Sequence, residues 1–397
     1  MKERSSRRRL LRLGAALGSG VLAAAGEETK RPGASLGPYT DRSPFEKSAR
    51  WTRESKTPEA GSSFTPLQDS TGIMTPSALH YERHHAGIPP IDPAKHRLVI
   101  HGMVERPLVL TMADLKRLPS VSRILVLECG GNSGSEWGMK TAPDVQRSYG
   151  MASCSEWTGV PLSLVLAEAG VRPEASWVIA EGADACRMQR SIPMAKALDN
   201  VLLAYGQNGE ALRPAQGYPL RLLIPGWEGN TNVKWLQELK VTHQPHMTRD
   251  ETSKYTDLMP DGKARMFTYQ MEAKSVVTFP SGGQSLAGQG MYELTGLAWS
   301  GRGRIERVEI TFDGGKSWVD AQLQEPRLPI AFTRFRLPWK WDGREAMICS
   351  RATDESGYVQ PSREALIDVR GRNSGFHFNG TKMWRVFADG RVTNAEA

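Results

Sequence analysis

The stretch LVLECGGNSGSEWG, residues 125–138, decides the fold class. A run rich in β-formers, from Ile124 to Leu127, stops abruptly at Glu128 and Cys129, and a polar loop with Gly130, Gly131 and Gly134 follows without helical period. A phosphate-binding loop needs a lysine and a following helix, and this loop has neither. The segment therefore reads as a strand that delivers a thiol into a loop stripped of side chains. Such glycines let something large come close, and the amides beside them can donate hydrogen bonds to it. A cysteine nucleophile wants a histidine partner; His101 is nearest in sequence, and no cysteine-protease signature is present. A soft thiolate presented to a metal centre is the reading that remains.

Outward from this loop, short apolar runs alternate with amphipathic stretches between Pro76 and Arg265. HRLVIHG, WVIAEG and YPLRLLIPG have strand character, and PLSLVLAEAG reads as a helix ended by Gly170. The strands are too irregularly spaced for a doubly wound sheet, so residues 76–265 are expected to form a mixed α+β domain. The character changes at Met266. In RVEITFDGGKSW, Val308, Ile310 and Phe312 alternate with Glu309 and Thr311 ahead of an Asp-Gly-Gly hairpin signal, and AMICSRATD alternates again. Residues 266–371 are therefore expected to form an immunoglobulin-like antiparallel β-sandwich. Residues 26–75, rich in Gly, Pro, Ser and Thr, read as an extended arm, and residues 372–397 as a short polar and aromatic strap across the surface.

The chain of 397 residues has a net charge of +8, but six basic groups against one acid fall within residues 1–25. The excess of +3 left elsewhere removes most support for a nucleic acid partner. Residues 1–25 have the layout of an export signal: a basic start, an apolar stretch from Leu10 to Ala25 too short to span a bilayer, and an Ala23-x-Ala25 cleavage pattern. Arg7 and Arg8 stand where a twin-arginine signal places its pair. That route carries proteins already folded, often around a cofactor, so a periplasmic location and a cofactor are expected, with no membrane span after signal removal. Cys129, Cys154, Cys186 and Cys349 form no CxxC or CxxCH motif, which points away from a paired-cysteine zinc site and from covalently attached haem. A bridge between Cys154 and Cys186 stays open.

In order and in spacing over residues 76–371, LECGGN, SEWTGVPLS, AEGAD, SIPMAKAL, QNGEALRPAQGYPLRLLIPGWEGNTNVKWL and ESGYVQP resemble the sulfite oxidase family of molybdenum enzymes. The match is nearest to that family's bacterial sulfane dehydrogenase branch. The resemblance implies a sulfite-oxidase-like molybdopterin-binding domain followed by an immunoglobulin-like dimerisation domain, with one molybdenum and one pyranopterin per subunit. It implies Cys129 as the thiolate ligand of molybdenum. Arg83 and Tyr255 are implied beside the substrate, joined by Arg370 returning from the second domain. Pterin contacts are implied for His85, Asp184, Gln216, Arg221, Asn232, Val233 and Lys234. Gln216 replaces the family's usual histidine, and its amide still hydrogen-bonds. Residues 226–234 offer backbone amides and a point-charge lysine to the cofactor phosphate. His80, His84 and His85 do not read as a zinc site, because no acidic or thiol partner stands at ligand spacing.

The resemblance further implies oxidation of sulfur with oxygen drawn from water, and two electrons to be shed in each cycle. The sequence has no haem motif, no GxGxxG fingerprint and no iron–sulfur cysteine set. The implied acceptor is a c-type cytochrome subunit, in a heterotetramer built on a homodimer, and the implied substrate is the sulfane sulfur of a cysteine-bound adduct on a carrier protein. A free-sulfite dehydrogenase shares nearly all these residues and differs at Gly134, where sulfite-oxidising members hold an arginine. A non-catalytic periplasmic binding protein would explain the sandwich but not the Cys129 loop. Replacing Arg7 and Arg8 with lysine should strand cofactor-loaded precursor in the cytoplasm, as read by cell fractionation; an undiminished periplasmic yield would remove the twin-arginine reading.

Overall fold

The strand Val121–Glu128 pairs antiparallel along its whole length with Ala152–Pro161, from Val121 opposite Gly159 to Glu128 opposite Ala152. In the computed structural model, which describes residues 37, 42–138 and 142–395, this pair belongs to a five-stranded sheet with Leu202–Gln207, Glu210–Ala211 and Arg221–Leu223. The export signal expected at residues 1–25 lies outside the described residues. Leu125 and Leu127 pack with Phe64, Tyr81 and Trp157, whereas Val126, on the opposite face, packs into a core shared with Trp299 and Phe332. A strand covered on both faces shows a continuous apolar run instead of alternation, which is what this one has.

A second five-stranded sheet orders Leu108–Leu110, Leu98–Gly102, Leu236–Thr242, Trp177–Gly182 and Gln189–Pro193. Leu236–Thr242 runs parallel to Leu98–Gly102 and antiparallel to Trp177–Gly182. The helix Leu162–Ala169 buries Leu162, Val165, Leu166 and Ala169 and ends at Gly170 in the left-handed conformation, φ 69°, the usual stop for a helix. This is the mixed α+β domain expected. Trp51–Arg53, Ser62–Phe64 and Glu82–Arg83 make a separate three-stranded sheet, so this part of the expected extended arm is tied down by pairing.

The sandwich follows. One sheet holds Lys274–Phe279, Gly290–Trp299, Thr333–Trp341 and Gln322–Leu323; the other holds Val319–Asp320, Ile305–Thr311, Ala346–Asp354, Met383–Val386 and Val392–Asn394. The last two strands correct the sequence reading, which made residues 372–397 a surface strap. Trp384 is fully buried and its indole Nε1 donates to Val277 O at 3.1 Å. Lys382 and Asn394, which gave the segment a solvated look, are buried against Glu136 and Ala142 O. The all-β expectation also missed the helix Arg363–Arg370, capped by Ser362, whose Oγ accepts from Ala365 N–H.

Ser48–Ala397 folds as one unit, and two buried ion pairs stitch the Cys129 loop into it. Glu128 accepts from Lys274 Nζ at 2.7 Å and Asn132 Nδ2 at 2.9 Å on Oε1, and from Trp299 Nε1 at 2.6 Å on Oε2. Glu136 accepts from Lys382 Nζ at 2.7 Å and from Ser148 Oγ at 2.6 Å. The side chains of both pairs are 1% exposed. Both lysines belong to the second domain, so that domain holds each end of the loop. Lys274→Met should leave Glu128 buried without its counter-ion and cost about 3–5 kcal/mol in denaturant unfolding, of which the double variant Glu128→Gln, Lys274→Met should recover part. Equal stability of Lys274→Met and wild type would show the pair to be dispensable.

Candidate active site

Cys129 continues the strand by one residue: its N–H donates to Met151 O at 2.9 Å, and its carbonyl accepts from Asn132 N–H at 2.9 Å, which starts the loop turn. The residue is buried, and burial raises the thiol above its usual range, against the Gly131 amide and the Arg83 charge, which favour the thiolate. A soft metal ion bound there would deprotonate it. The loop Gly229–Thr231 lies directly against this strand. A Cβ at Gly229 would sit 2.7 Å from Tyr81 Oη and 2.9 Å from Glu128 O, so only glycine allows the approach.

Between these segments lies a cavity whose empty space, open mouth included, is about 650 Å³. Cys129, Arg83, His85, Asp184, Gln216, Arg221, Asn232, Lys234 and Tyr255 all line it. Nine residues expected from sequence, spread from position 83 to 255, thus converge on one space. Two do not. Val233 packs in the core of the α+β domain, with its N–H given to Thr231 O at 3.1 Å. Arg370 is buried beyond the cavity, where it pairs with Glu272 Oε2 at 2.8 Å and donates to His377 O at 3.0 Å. Its link to the loop is indirect: His377 N–H donates to Gly130 O at 2.6 Å.

The cavity wants an anion. Arg221 is buried and Lys234 half-buried, neither forms an ion pair with a carboxylate among the described residues, and Arg221 Nε has no hydrogen-bond partner there. Lys234 Nζ donates to Arg83 O at 3.1 Å and Ala215 O at 3.2 Å and contacts His84 Nδ1 at 2.8 Å. Arg221 donates to Gln216 O at 3.0 Å and Asn232 O at 3.2 Å. Burial drives Lys234 down to about 7 and Arg221 down to about 10. A phosphate or similar oxyanion is the kind of group such a pair of cations fits. On the wall beside Cys129, Tyr255 Oη and His85 Nε2 share a hydrogen bond of 2.8 Å. Burial brings His85 down to about 4 and raises Tyr255 well above its usual range, so a neutral imidazole faces a protonated phenol.

Several residues of this site escaped the sequence reading. Tyr255 adopts a left-handed backbone, φ 51°, and Arg190, itself buried, holds its guanidinium 5.3 Å from the ring centroid. Arg190 stands immediately before SIPMAKAL, and that adjacency was the signal it gave. Glu82 pairs with Arg50, approaches His84 Nε2 at 3.4 Å, and is held down to about 2 by those two partners against the effect of burial. His377 was hidden in the segment read as a strap. Cys129, Cys154, Cys186 and Cys349 are all free thiols, and no metal-holding group of His, Cys, Asp or Glu occurs among the described residues.

Comparison with known proteins agrees with this geometry. Residues 85–249 match the oxidoreductase molybdopterin binding domain, and residues 265–382 match the Mo-co oxidoreductase dimerisation domain. The crystal structure of the sulfane dehydrogenase SoxCD from Paracoccus pantotrophus superposes with a TM-score of 0.87 at 46% identity, covering 91% of this chain and 95% of that one. The chain is 32% identical over 337 residues to the NADH nitrate reductase of Ulva prolifera, covering 73% of this chain and 38% of that protein. It is 31% identical over 332 residues to the mitochondrial sulfite oxidase of Mus musculus, covering 76% and 60%. It thus spans 38% to 60% of the length of these two curated relatives. Fold and cavity together define an oxidoreductase that binds the molybdenum cofactor. The chain belongs to the sulfite oxidase family.

Lys234 gives the cofactor-free protein a pH signature. Its ordinary value is 10.5 and burial lowers it to about 7, so between these limits the unfolded chain binds the proton that the folded chain has lost. Stability then rises with pH in that window, by at most about 1.4 kcal/mol per pH unit. The stability difference between wild type and Lys234→Met should therefore grow in favour of wild type from about pH 7 to pH 9, by urea unfolding. A difference that does not change with pH would mean that the lysine stays charged.

Proposed function

We propose that this chain is the molybdenum subunit of a periplasmic sulfane dehydrogenase that oxidises the sulfane sulfur of a cysteine-bound adduct on a carrier protein and passes the electrons to a c-type cytochrome subunit. The single observation that carries the reading is the likeness to SoxCD, 46% identical across 91% of this chain. Export by the twin-arginine route, a cofactor domain at residues 76–265, a dimerising sandwich at 266–371 and a homodimer within a heterotetramer belong to the same proposal.

In this reading Cys129 ligates molybdenum, Lys234 and Arg221 take the pterin phosphate, and His85, Asp184, Gln216 and Asn232 contact the pterin. When bound, the cofactor supplies two-electron oxidation of sulfur with oxygen that comes from water. The protein supplies the rest. Arg83 faces the thiol from the cavity wall and attracts a negatively charged sulfur group. Tyr255 keeps its proton throughout and presents an O–H, oriented by His85 and by the Arg190 guanidinium, to oxygen that gains negative charge. Arg370 acts from behind the loop through His377 and Gly130. Val233 enters by filling the core beneath Asn232 and Lys234.

Sulfite-oxidising members of the family hold their dianion with an arginine at the position of Gly134. Here that position carries no side chain, and Gly375 O would lie 3.2 Å from a Cβ built on it. A missing charge-assisted hydrogen bond lowers affinity by roughly ten- to a hundredfold. Wild type should therefore show a higher kcat/KM for carrier-bound sulfane sulfur than for sulfite, and Gly134→Arg should narrow that ratio by about tenfold or more. The curated sulfite oxidase relative supports a second reading as a free-sulfite dehydrogenase. Efficient sulfite oxidation by wild type, unmatched by any carrier-bound substrate, would establish it instead.

A further inference from the structure

Tyr255 lies between the two matched domains, residues 85–249 and 265–382. It stands between the one-turn helix Arg249–Thr252 and the two-residue strand Asp257–Leu258, with its backbone in the left-handed region. A bulky side chain keeps that conformation only where its surroundings impose it. Neither the N–H nor the carbonyl of Tyr255 has a hydrogen-bond partner among the described residues. His85 and Arg190 act on its hydroxyl and ring, so the chain beneath the phenol needs a separate anchor.

Asp257 supplies one. Its side chain is buried, and Oδ1 accepts from Gly375 N–H at 2.6 Å and from Phe376 N–H at 3.2 Å. The next amide of that turn, His377 N–H, donates to Gly130 O at 2.6 Å. Three successive amides of residues 375–377 thus hold two partners, one two residues after Tyr255 and the other directly after Cys129. The route from phenol to thiol runs through Thr256 and Asp257, across to the turn, and across again to Gly130, with only two hydrogen-bonded joints. The Phe376 ring lies beside the phenol, its centroid 5.1 Å from that of Tyr255. Behind the turn, Arg370 Nη1 donates to His377 O at 3.0 Å and Ser374 Oγ donates to Arg370 O at 3.0 Å. Close packing marks both sides: a Cβ at Gly134 would lie 3.2 Å from Gly375 O, and one at Gly371 would lie 3.2 Å from Pro260 Cγ.

We propose that Asp257 is the positioning residue of Tyr255, and that the turn 375–377 is the brace through which it sets the phenol against the Cys129 loop. Asp257 does not line the cavity, so its effect passes through Tyr255. The inference rests on the role given to Tyr255 above: an O–H that stabilises charge developing on oxygen must already stand in place, and a displacement of about 1 Å costs up to about a hundredfold in rate. The brace comes from the second domain, and Arg370 holds it from behind, so one arginine outside the cavity supports both the thiol loop and the phenol.

The test uses the full-length protein, with and without cofactor. In the cofactor-free protein, amide exchange of residues 253–258 should quicken by about tenfold or more in Asp257→Ala. It should stay near the wild-type rate in Asp257→Asn, whose amide oxygen still accepts from both N–H groups. In the loaded enzyme, Asp257→Ala should lower kcat by about ten- to a hundredfold with KM little changed, and Asp257→Asn should restore most of it. In a Tyr255→Phe background, Asp257→Ala should slow turnover no further, because no hydroxyl remains to be placed. Should Asp257→Ala fail to fold, Asp257→Ser, whose shorter side chain withdraws the acceptor, takes its place. Equal slowing in both backgrounds, or wild-type exchange in the variant, overturns the proposal. A loaded chain that oxidises neither carrier-bound sulfane nor sulfite would remove the function proposed above, and the exchange rates would then decide the anchoring of Tyr255 by themselves.

Discussion

A carboxylate and an ammonium, each 1% exposed and 2.7 Å apart, join the residue before Cys129 to the first strand of the sandwich. Two apolar side chains of the same volume would stabilise that boundary as well as this pair does. What they would not supply is direction. With Lys274, Asn132 and Trp299 all donating to one carboxylate, the side chain of Glu128 has a single arrangement that satisfies every partner, and the backbone of Cys129 follows from it. The sandwich is thereby part of the site. Lys274, Trp299, Lys382, His377 and Arg363 all reach into the loop from outside the molybdopterin domain.

The charges around the thiol follow a complementary logic. Buried Arg221 and half-buried Lys234 and Arg83 share the cavity with Glu82 and Asp184, yet none of the three makes an ion pair with a carboxylate among the described residues. Such an arrangement is unfavourable for the empty fold and favourable for the loaded one, because the desolvation already spent on the cations is returned when an anion arrives. Burial meanwhile keeps His84 and His85 neutral and the phenol of Tyr255 protonated. The wall facing the thiol therefore offers protons for hydrogen bonding without giving any up.

Much of this was legible in the sequence. The strand that ends in Cys129 shows as a continuous apolar run because both its faces are covered, and the hairpin at Asp313 shows because its carboxylate accepts from the amides of Lys316 and Ser317. The cavity residues were legible through resemblance, since positions as far apart as 83 and 255 carry no mutual signal in spacing. What stayed hidden was polar and buried. Lys382, Asn394 and His377 looked like solvated residues because composition cannot distinguish a charge in water from a charge paired in a core. Val233 was read as a contact because it sits between two residues that do line the cavity, while its own side chain packs into the core of the α+β domain. Arg370 was legible as a buried, converging arginine, but its distance from the cavity depends on Glu272 and His377, which no local pattern reveals.

The two strands Met383–Val386 and Val392–Asn394 pair last in the second sandwich sheet, and Lys382 stands directly before them. On a ribosome, then, the Cys129 loop is synthesised long before the ammonium that neutralises Glu136 exists. Until that late segment emerges, the loop carries an uncompensated carboxylate and cannot settle into its final form. Closure of the loop is in this sense a late event: the α+β sheets are encoded upstream, but the ion pair at Glu136 can form only once Lys382 has been made.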